Sequence, residues 1–201
     1  EQPAVLLDAG ANTECKAEHL LQFGLMGSVY AQLALGVKNP RIGLLSIGEE
    51  ETKGNELTRD AYHQLKNSSV EFVGSVEARD VYRGVADVIV CDGFTGNVVL
   101  KVSEGLVEAV ELLLGDELKG TFSSQVGYLL SQRAFRRFRK RVDYSEYGGA
   151  PLMGVAGLAV VGHGRSSVKA IRNAIVMAYR FVSTDFVKRV EEEVSITVQS
   201  K

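Results

Sequence analysis

The 201-residue chain is long enough for one ordinary domain with a real core. Its 45% apolar and 24% charged residues, 21 glycines and net charge of −2 describe a turn-rich globular protein, with no nucleic acid expected as a partner. Cys15 and Cys91 offer no disulfide framework, so a reducing compartment is expected; no run of about 18 apolar residues spans a bilayer, and no secretory signal is visible.

The chain has no initiating Met and opens on an apolar strand, Ala4 to Leu7. A parallel α/β protein that starts mid-sheet suggests an N-terminal part outside this sequence. The strand ends in a polar loop of small residues, Asp8-Ala9-Gly10-Ala11-Asn12. A long helical pattern follows from about Glu18 to Leu35, apolar round more than one face and so expected to be covered on both sides. Gly36 and Asn39-Pro40 stop it. Residues 42–47 form the next strand, giving way to Gly48, three glutamates, Thr52, Lys53, Gly54 and Asn55. Asn55 is a predicted N-cap for a helix carrying Leu57, Ala61, Tyr62 and Leu65. Lys53 at such a helix start is placed to meet an anion as a point charge. The plainer reading is a surface lysine paired with Glu49 to Glu51.

Val70 to Val73 reads as a short strand closed by Gly74, with a short amphipathic helix from Glu77 to Gly84. Val88 to Cys91 is a strand by length and composition. After Asp92-Gly93-Phe94-Thr95-Gly96-Asn97, apolar residues at Val98, Val99, Val102, Leu106 and Ala109 predict a helix reaching Leu114. Strand, glycine-bearing turn and helix start place backbone N–H groups where an anion is stabilised. Gly93 and Gly96 are expected to take φ > 0 or to approach a ligand closely, with Asp92 and Asn97 on either side. The bland alternative is a βα loop with a capping Asp and two turn glycines.

From Lys119 to Arg141 there are seven basic residues and no acidic one. Phe122, Val126, Leu129 and Leu130 recur at helical spacing, followed by Phe135 and Phe138. Arg133, Arg136, Arg137, Lys140 and Arg141 form a second stripe at i, i+3, i+4, i+7 and i+8. Such a segment suits an anionic membrane surface, an acidic partner or its own twin in a dimer. Residues 144–154 read as a packed loop feeding a last strand, Leu158 to Val161. That strand ends in Gly162-His163-Gly164-Arg165-Ser166-Ser167. An amphipathic helix from Val168 through Val182 follows, extending towards Val190, with a frayed tail over 197–201.

Strands alternating with helices argue for an α/β fold with a mostly parallel, doubly wound sheet. Ligands of such sheets sit outside the C-terminal strand ends. Four loops are expected there, 8–12, 48–56, 92–97 and 162–167, together forming a site for phosphate or a phosphorylated ligand. Its candidate residues are Asn12, Lys53, Gly54, Asn55, Asp92, Gly93, Gly96, Asn97, His163, Gly164 and Ser166. A dinucleotide reading of 162–167 fails because Asp185, at the distance of the required acidic residue, falls in or just after a helix. His19, His63 and His163 make no ligand pair, so no metal or other cofactor is expected. Cys91 reads as strand core, and no Gly-x-Ser-x-Gly elbow is present. Chemistry based on anion binding, orientation and electrostatic stabilisation remains.

LLDAGAN (6–12), MGSVYA (26–31), GEEETKGNELT (48–58), DVIVCDGFTGNVVLK (87–101), DYSEYGGAPLMGV (143–155) and GHGRSS (162–167) together resemble the bacterial phosphate acyltransferases of phospholipid synthesis, the PlsX family. Members of that family are longer at the N-terminus, where a phosphate-loop-like Asp-Ala-Met-Gly-Gly-Asp motif normally lies; this sequence lacks it. The resemblance implies transfer of a fatty acyl group from acyl carrier protein to inorganic phosphate, giving acyl phosphate. It implies a cytoplasmic homodimer attached peripherally to the membrane. The implied fold is the three-layer α/β/α sandwich of phosphotransacetylases and isocitrate/isopropylmalate dehydrogenases. Residues 1–201 would form one domain, the C-terminal part of a longer protein, with 104–142 a protruding helical hairpin arm. Catalytic roles would fall on Lys53 and Asn97, with Asp92 and His163 orienting groups or handling protons. Phe122, Leu129, Leu130, Arg133, Arg136 and Arg137 would serve the dimer, the membrane or the acidic carrier protein. Competing readings are a phosphotransacetylase-type enzyme using a short acyl-CoA and a non-catalytic membrane-peripheral scaffold.

Overall fold

A computed structural model describes residues 3–142 and 148–199. The chain divides into two compact units, one of Glu1–Val99, Leu152–Ala159 and Tyr179–Lys201, the other of Leu100–Pro151 and Val160–Ala178.

The first unit is built on four parallel strands, β1 (Val5–Leu7), β2 (Arg41–Ser46), β3 (Glu71–Glu77) and β4 (Val88–Val90), in the spatial order β1-β4-β2-β3. The apolar runs alternate between faces, as period-2 side chains must. Ile42, Leu44, Val88 and Val90 are fully buried. On one face of the sheet runs α1 (Ala17–Tyr30), which also packs against α2 (Glu56–Lys66) and α6 (Phe186–Gln199). A Cβ on Gly27 would stand 2.5 Å from Val88, and one on Gly24 3.0 Å from Leu65, so these glycines set the close approach of α1. Leu45, Val76, Ala86, Ile89 and Cys91 form a second cluster, joined by Leu6, Val81 and Val99. As its apolar pattern predicts, α1 buries Leu20, Leu21, Phe23, Leu25, Met26 and Val29. It continues as a π-helical turn, Ala31–Leu35, and ends at Gly36 with φ 72°.

At the N-terminal ends of β2 and β4, the Asp87 carboxylate accepts from the Arg41 backbone N (2.9 Å), Nε (3.0 Å) and Nη2 (3.1 Å). The guanidinium also donates to the Gly84 carbonyl at 2.9 Å. Hydrogen bonding to Arg41, chiefly through its side chain, holds the Asp87 carboxyl below its ordinary pKa.

Several boundaries differ from the sequence expectation. Gly74 does not close β3. It takes φ 97° within the strand, where Ile42 pairs with Phe72 and Gly43 with Gly74, leaving Val73 as the extra residue of a bulge. The helix expected over 77–84 shrinks to one 3-10 turn, Ala78–Asp80, because β3 runs on to Glu77. The helix starting at Val168 does not reach Val190. α5 (Val168–Ser183) stops before Asp185, which takes φ 51°, and α6 then runs to Gln199 through part of the tail expected to fray. That reversal stacks Phe181 on Phe186 with centroids 4.4 Å apart, and Tyr30 meets both edge-on. The last expected strand, β6 (Ala159–Val161), pairs with β5 (Ala150–Leu152) in a separate two-stranded sheet. Residues 144–147 of the expected packed loop, residues 200–201 of the expected tail and the Arg141 side chain lie outside the described residues.

The second unit carries most of α3 (Gly93–Gly120) and all of α4 (Phe122–Val142), with Thr121 between them. Thr121 Oγ1 accepts from the Ser124 backbone N at 3.1 Å and so caps α4. The basic segment is helical as its spacing predicts, with Phe122, Leu129 and Leu130 at 81%, 65% and 80% exposure. Arg133, Arg136 and Arg137 are exposed too, while Phe135 turns against Tyr128 with centroids 5.1 Å apart. Among the described residues no helix is long and apolar enough to cross a membrane.

Candidate functional site

Because β1, β4 and β2 are adjacent and parallel, the loops 8–12, 92–97 and 48–55 leave one edge of the sheet side by side. The first is folded around a carboxylate. Asp8 is buried, and its oxygens accept from the backbone N–H groups of Gly10 (2.8 Å), Ala11 (2.9 Å) and Asn12 (2.6 Å). The Asn12 carbonyl in turn accepts from Gly93 N at 2.7 Å and from the Cys15 thiol at 3.3 Å.

Those contacts explain the glycines of the second loop. Neither Gly93 nor Gly96 has a positive φ, and both already lie in the first turn of α3. A Cβ on Gly93 would stand 2.6 Å from the Asn12 carbonyl oxygen; one on Gly96 would overlap the Asp8 carbonyl oxygen and stand 2.9 Å from Cys91 Sγ. What these glycines admit is the chain's own loop 8–12, which corrects the expectation of φ > 0. Asp92 caps the same helix, with Oδ1 accepting from Thr95 N at 2.8 Å and Oδ2 from Thr95 Oγ1 at 2.7 Å. The helix start therefore spends its Gly93 and Thr95 N–H groups internally. Asn97 stands one turn on, exposed, its amide carbon 3.7 Å from where a Cβ on Gly10 would lie.

In the third loop, Asn55 caps α2 as predicted: its Oδ1 accepts from Thr58 N at 2.9 Å, and Thr58 Oγ1 accepts from Asn55 N at 2.9 Å. Gly54 has φ 95°, a conformation that suits glycine. Lys53 is exposed. Glu51 pairs instead with His63 at 3.4 Å and Lys66 at 3.2 Å. Among the described residues no ion pair or hydrogen bond to the Lys53 ammonium is found, so the plainer reading of a Lys53–glutamate pair is not what forms. Two groups escaped the sequence reading. Arg59 donates from Nη1 to the Gly54 carbonyl at 2.9 Å, adding a second exposed cation to this loop; only its place one turn into α2 hinted at it. Ser46 Oγ, at the end of β2, is buried with no hydrogen-bond partner among the described residues.

The fourth expected loop does not follow a strand of the four-stranded sheet, since β6 pairs with β5 in a separate one. In 162–167, His163 Nδ1 accepts from Arg165 N at 3.1 Å and its carbonyl accepts from Ser166 N at 2.9 Å. Ser167 Oγ accepts from Ala170 N at 3.2 Å at the start of α5. Ser166 Oγ is buried without a hydrogen-bond partner among the described residues, and Gly164 is exposed. His163, Gly164 and Ser166 belong to the second unit, while Asn12, Lys53, Gly54, Asn55, Asp92, Gly93, Gly96 and Asn97 belong to the first.

Burial, reinforced by Asp92 and Asp8, pushes the Cys91 thiol up to about 12, so it stays protonated and is a poor nucleophile. Burial also raises the Cys15 thiol. Among the described residues no group of three or more His, Cys, Asp or Glu side chains could hold a metal ion. The edge thus offers an ammonium, a guanidinium and a carboxamide in solvent, a set suited to binding and orienting an anion.

A family profile described as "Fatty acid synthesis protein" matches residues 1–189. The chain is 55% identical over 189 residues to the phosphate acyltransferase of Geotalea uraniireducens, covering 94% of this chain and 55% of that protein. It is 58% identical over 179 residues to that of Syntrophotalea carbinolica, covering 89% and 52%. With the phosphate acyltransferase of Heliobacterium modesticaldum it shares 52% identity over 190 residues, covering 94% and 57%. The chain thus spans a little over half the length of these relatives.

Proposed function

The chain belongs to the fatty acid synthesis protein family, and from that premise we propose that the whole protein transfers a fatty acyl group from acyl carrier protein to inorganic phosphate, releasing acyl phosphate for phospholipid synthesis. The observation that carries the reading is the pairing of exposed Lys53 and exposed Asn97 on adjacent loops of one sheet edge. Phosphate is itself the nucleophile, so the reaction needs no acyl-enzyme. One phosphate oxygen attacks the thioester carbon, the carbonyl becomes an oxyanion, and the carbon–sulfur bond breaks to release the carrier's thiolate. Lys53 neutralises phosphate or the oxyanion; Asn97 donates its amide N–H to the same developing charge. Arg59 adds charge for phosphate at the mouth of the Lys53 loop. A thiol is acidic enough to leave with little help, so Asp92 acts through the shape it gives the start of α3.

The fold proposed for the whole protein is the three-layer sandwich of the isocitrate/isopropylmalate dehydrogenases, with residues 104–142 as a helical hairpin arm. Its setting is a cytoplasmic homodimer peripheral to the membrane. The exposed apolar and arginine stripes of α4 support contact with an acidic or membrane surface.

The test is acyl phosphate formation by the full-length protein from phosphate and either palmitoyl carrier protein or a short acyl-CoA. Lys53→Ala and Asn97→Ala are each expected to lower kcat by about 100- to 1000-fold, the usual cost of one oxyanion donor. Unchanged formation in both variants would refute the site. Product from acyl-CoA alone would instead favour a phosphotransacetylase-type enzyme.

A further inference from the structure

We propose that Asp8 is a positioning residue for acyl transfer: its buried carboxylate shapes the loop after β1 into the wall on which the Asn97 carboxamide rests. The inference deepens the acyl-transfer reading above and rests on it, since Asp8 enters the reaction only through Asn97.

Asp8 is 5% exposed, and among the described residues no cation pairs with it. Taking a carboxylate out of water without a counter-ion is costly, and here three main-chain N–H groups offset the cost, two on Oδ1 and one on Oδ2. Its own main chain is tied to β4, with N donating to the Cys91 carbonyl at 2.9 Å and its carbonyl accepting from Cys91 Sγ at 3.4 Å. An asparagine in its place would bring one acceptor oxygen and one amino group, and the amino group would face an N–H donor. The loop's shape therefore depends on the second carboxylate oxygen.

What that shape serves lies on the other side of the loop. Gly10, whose N–H is one of the three, takes φ 140° and lies against Asn97: a Cβ there would stand 3.7 Å from Asn97 Cβ and Cγ and 3.8 Å from Oδ1. Asn97 is exposed, and among the described residues no hydrogen bond holds its carboxamide. Packing on the Gly10 backbone takes the place that a fixing hydrogen bond would have. The same loop also anchors the helix that carries Asn97. The Asn12 carbonyl accepts from Gly93 N at 2.7 Å, and Gly96 leaves no room for a Cβ beneath the Asp8 carbonyl. Main chain and side chain of the proposed oxyanion donor are thus both referenced to a loop that one carboxylate holds together. Lys53 and Arg59 stand on the loop after β2, outside this set of contacts.

The experiment uses the full-length protein and Asp8→Asn, with two readouts. In the first, native-state hydrogen exchange is followed by mass spectrometry. Faster exchange is expected over 10–12 and 93–97 with α2 unchanged; faster exchange throughout the protein, or unaltered exchange, overturns the proposal. In the second, acyl phosphate formation is measured with palmitoyl carrier protein. Asp8→Asn is expected to lower kcat about 100-fold, the cost of a group displaced by about 1 Å, and to leave KM for phosphate unchanged. Added to Asn97→Ala it is expected to cost nothing more, because the group it positions is already gone; a double variant slower than Asn97→Ala overturns the proposal. Asp87→Asn, which loosens the opposite end of the sheet, is the control for lost stability and is expected to keep wild-type kcat; an equal fall there overturns it too. Should Asp8→Asn fail to fold, Gly10→Ala keeps the carboxylate and displaces the wall, since L side chains rarely adopt φ 140°; wild-type kcat in that variant overturns the proposal. Exchange does not depend on turnover, so local loosening in a protein that makes no acyl phosphate counts against the reaction. An active protein whose double variant loses both factors counts against Asp8.

Discussion

Replacing Gly96 with alanine tests how tightly the first turn of α3 is clamped to the loop after β1. The added methyl would overlap the Asp8 carbonyl oxygen and press on Cys91 Sγ at 2.9 Å. Neither neighbour can swing aside: one is main chain, and the other is a buried side chain donating to that same carbonyl at 3.4 Å. Overpacking of this kind costs about 3 kcal/mol at the upper end. Alanine's better helix propensity returns about 1 kcal/mol, leaving a net loss of about 2. Because α3 must back away from loop 8–12, the adjacent Asn97 moves too, and a misplacement near 1 Å costs about 100-fold in rate. Gly105→Ala is the matched control, since Gly105 lies in the same helix, exposed, with nothing within 4 Å of a new Cβ. It should stabilise by about 0.5–1 kcal/mol. Urea midpoints and acyl phosphate formation under saturating substrates read both effects. A Gly96→Ala protein that unfolds with its Gly105→Ala counterpart and keeps wild-type kcat would refute the clamp.

Three further outcomes are expected. Asp87 has a depressed carboxyl pKa in the folded state, so its pairing with Arg41 stabilises the protein above the unfolded value of about 4 and is lost as pH falls through the folded one. Asp87→Asn should lower the urea midpoint at neutral pH and flatten its decline in acid; an unchanged acid limb would contradict this. Iodoacetamide at pH 8 should alkylate partly exposed Cys15 well before Cys91, whose thiol is buried and raised to about 12; equal rates in the native protein would show that β4 is open to solvent. Reversing Arg133, Arg136 and Arg137 to glutamate should weaken binding to phosphatidylglycerol vesicles or to carrier protein at low salt, about 1 kcal/mol per charge at a membrane. Binding unaltered to both would remove the arm from either role.

Local signals read from the sequence held where one short-range rule decided the outcome. Asn55 just ahead of the helical pattern at Leu57, Ala61, Tyr62 and Leu65 specifies a cap, and the all-round apolar pattern of α1 specifies a buried helix; both are present. The failures share a different cause. Gly74 looks like a terminator in sequence, but its partner β2 can absorb an extra residue, and only the register reveals the bulge. Likewise Leu158 to Val161 has strand composition, yet nothing in those residues says which sheet it joins. Gly93 and Gly96 carried a signal of close approach, and the sequence could not show that residues 8–12, some eighty positions earlier, lie against them. Asp185 broke the last helix without a Gly or Pro to announce it. For the proposed site, Lys53 and Asn97 were legible as polar residues beside glycines at strand ends. Arg59 was not, since its hydrogen bond to Gly54 depends on the curl of a loop.

The inward turn of the 8–12 amides onto Asp8 has a consequence for the kind of grip this edge can exert. A main-chain cage of the phosphate-loop type points its N–H groups outward and holds its guest rigidly. Here three such groups already face a carboxylate, so an anion arriving at this edge meets the exposed side-chain cations of the neighbouring loop in their place. Attraction of that sort fades over about 8 Å at physiological ionic strength, and it lets go as readily as it captures. In the proposed reaction phosphate arrives as a small dianion and leaves as a long-tailed anhydride, and loose handling by Lys53 and Arg59 would favour exchange over storage.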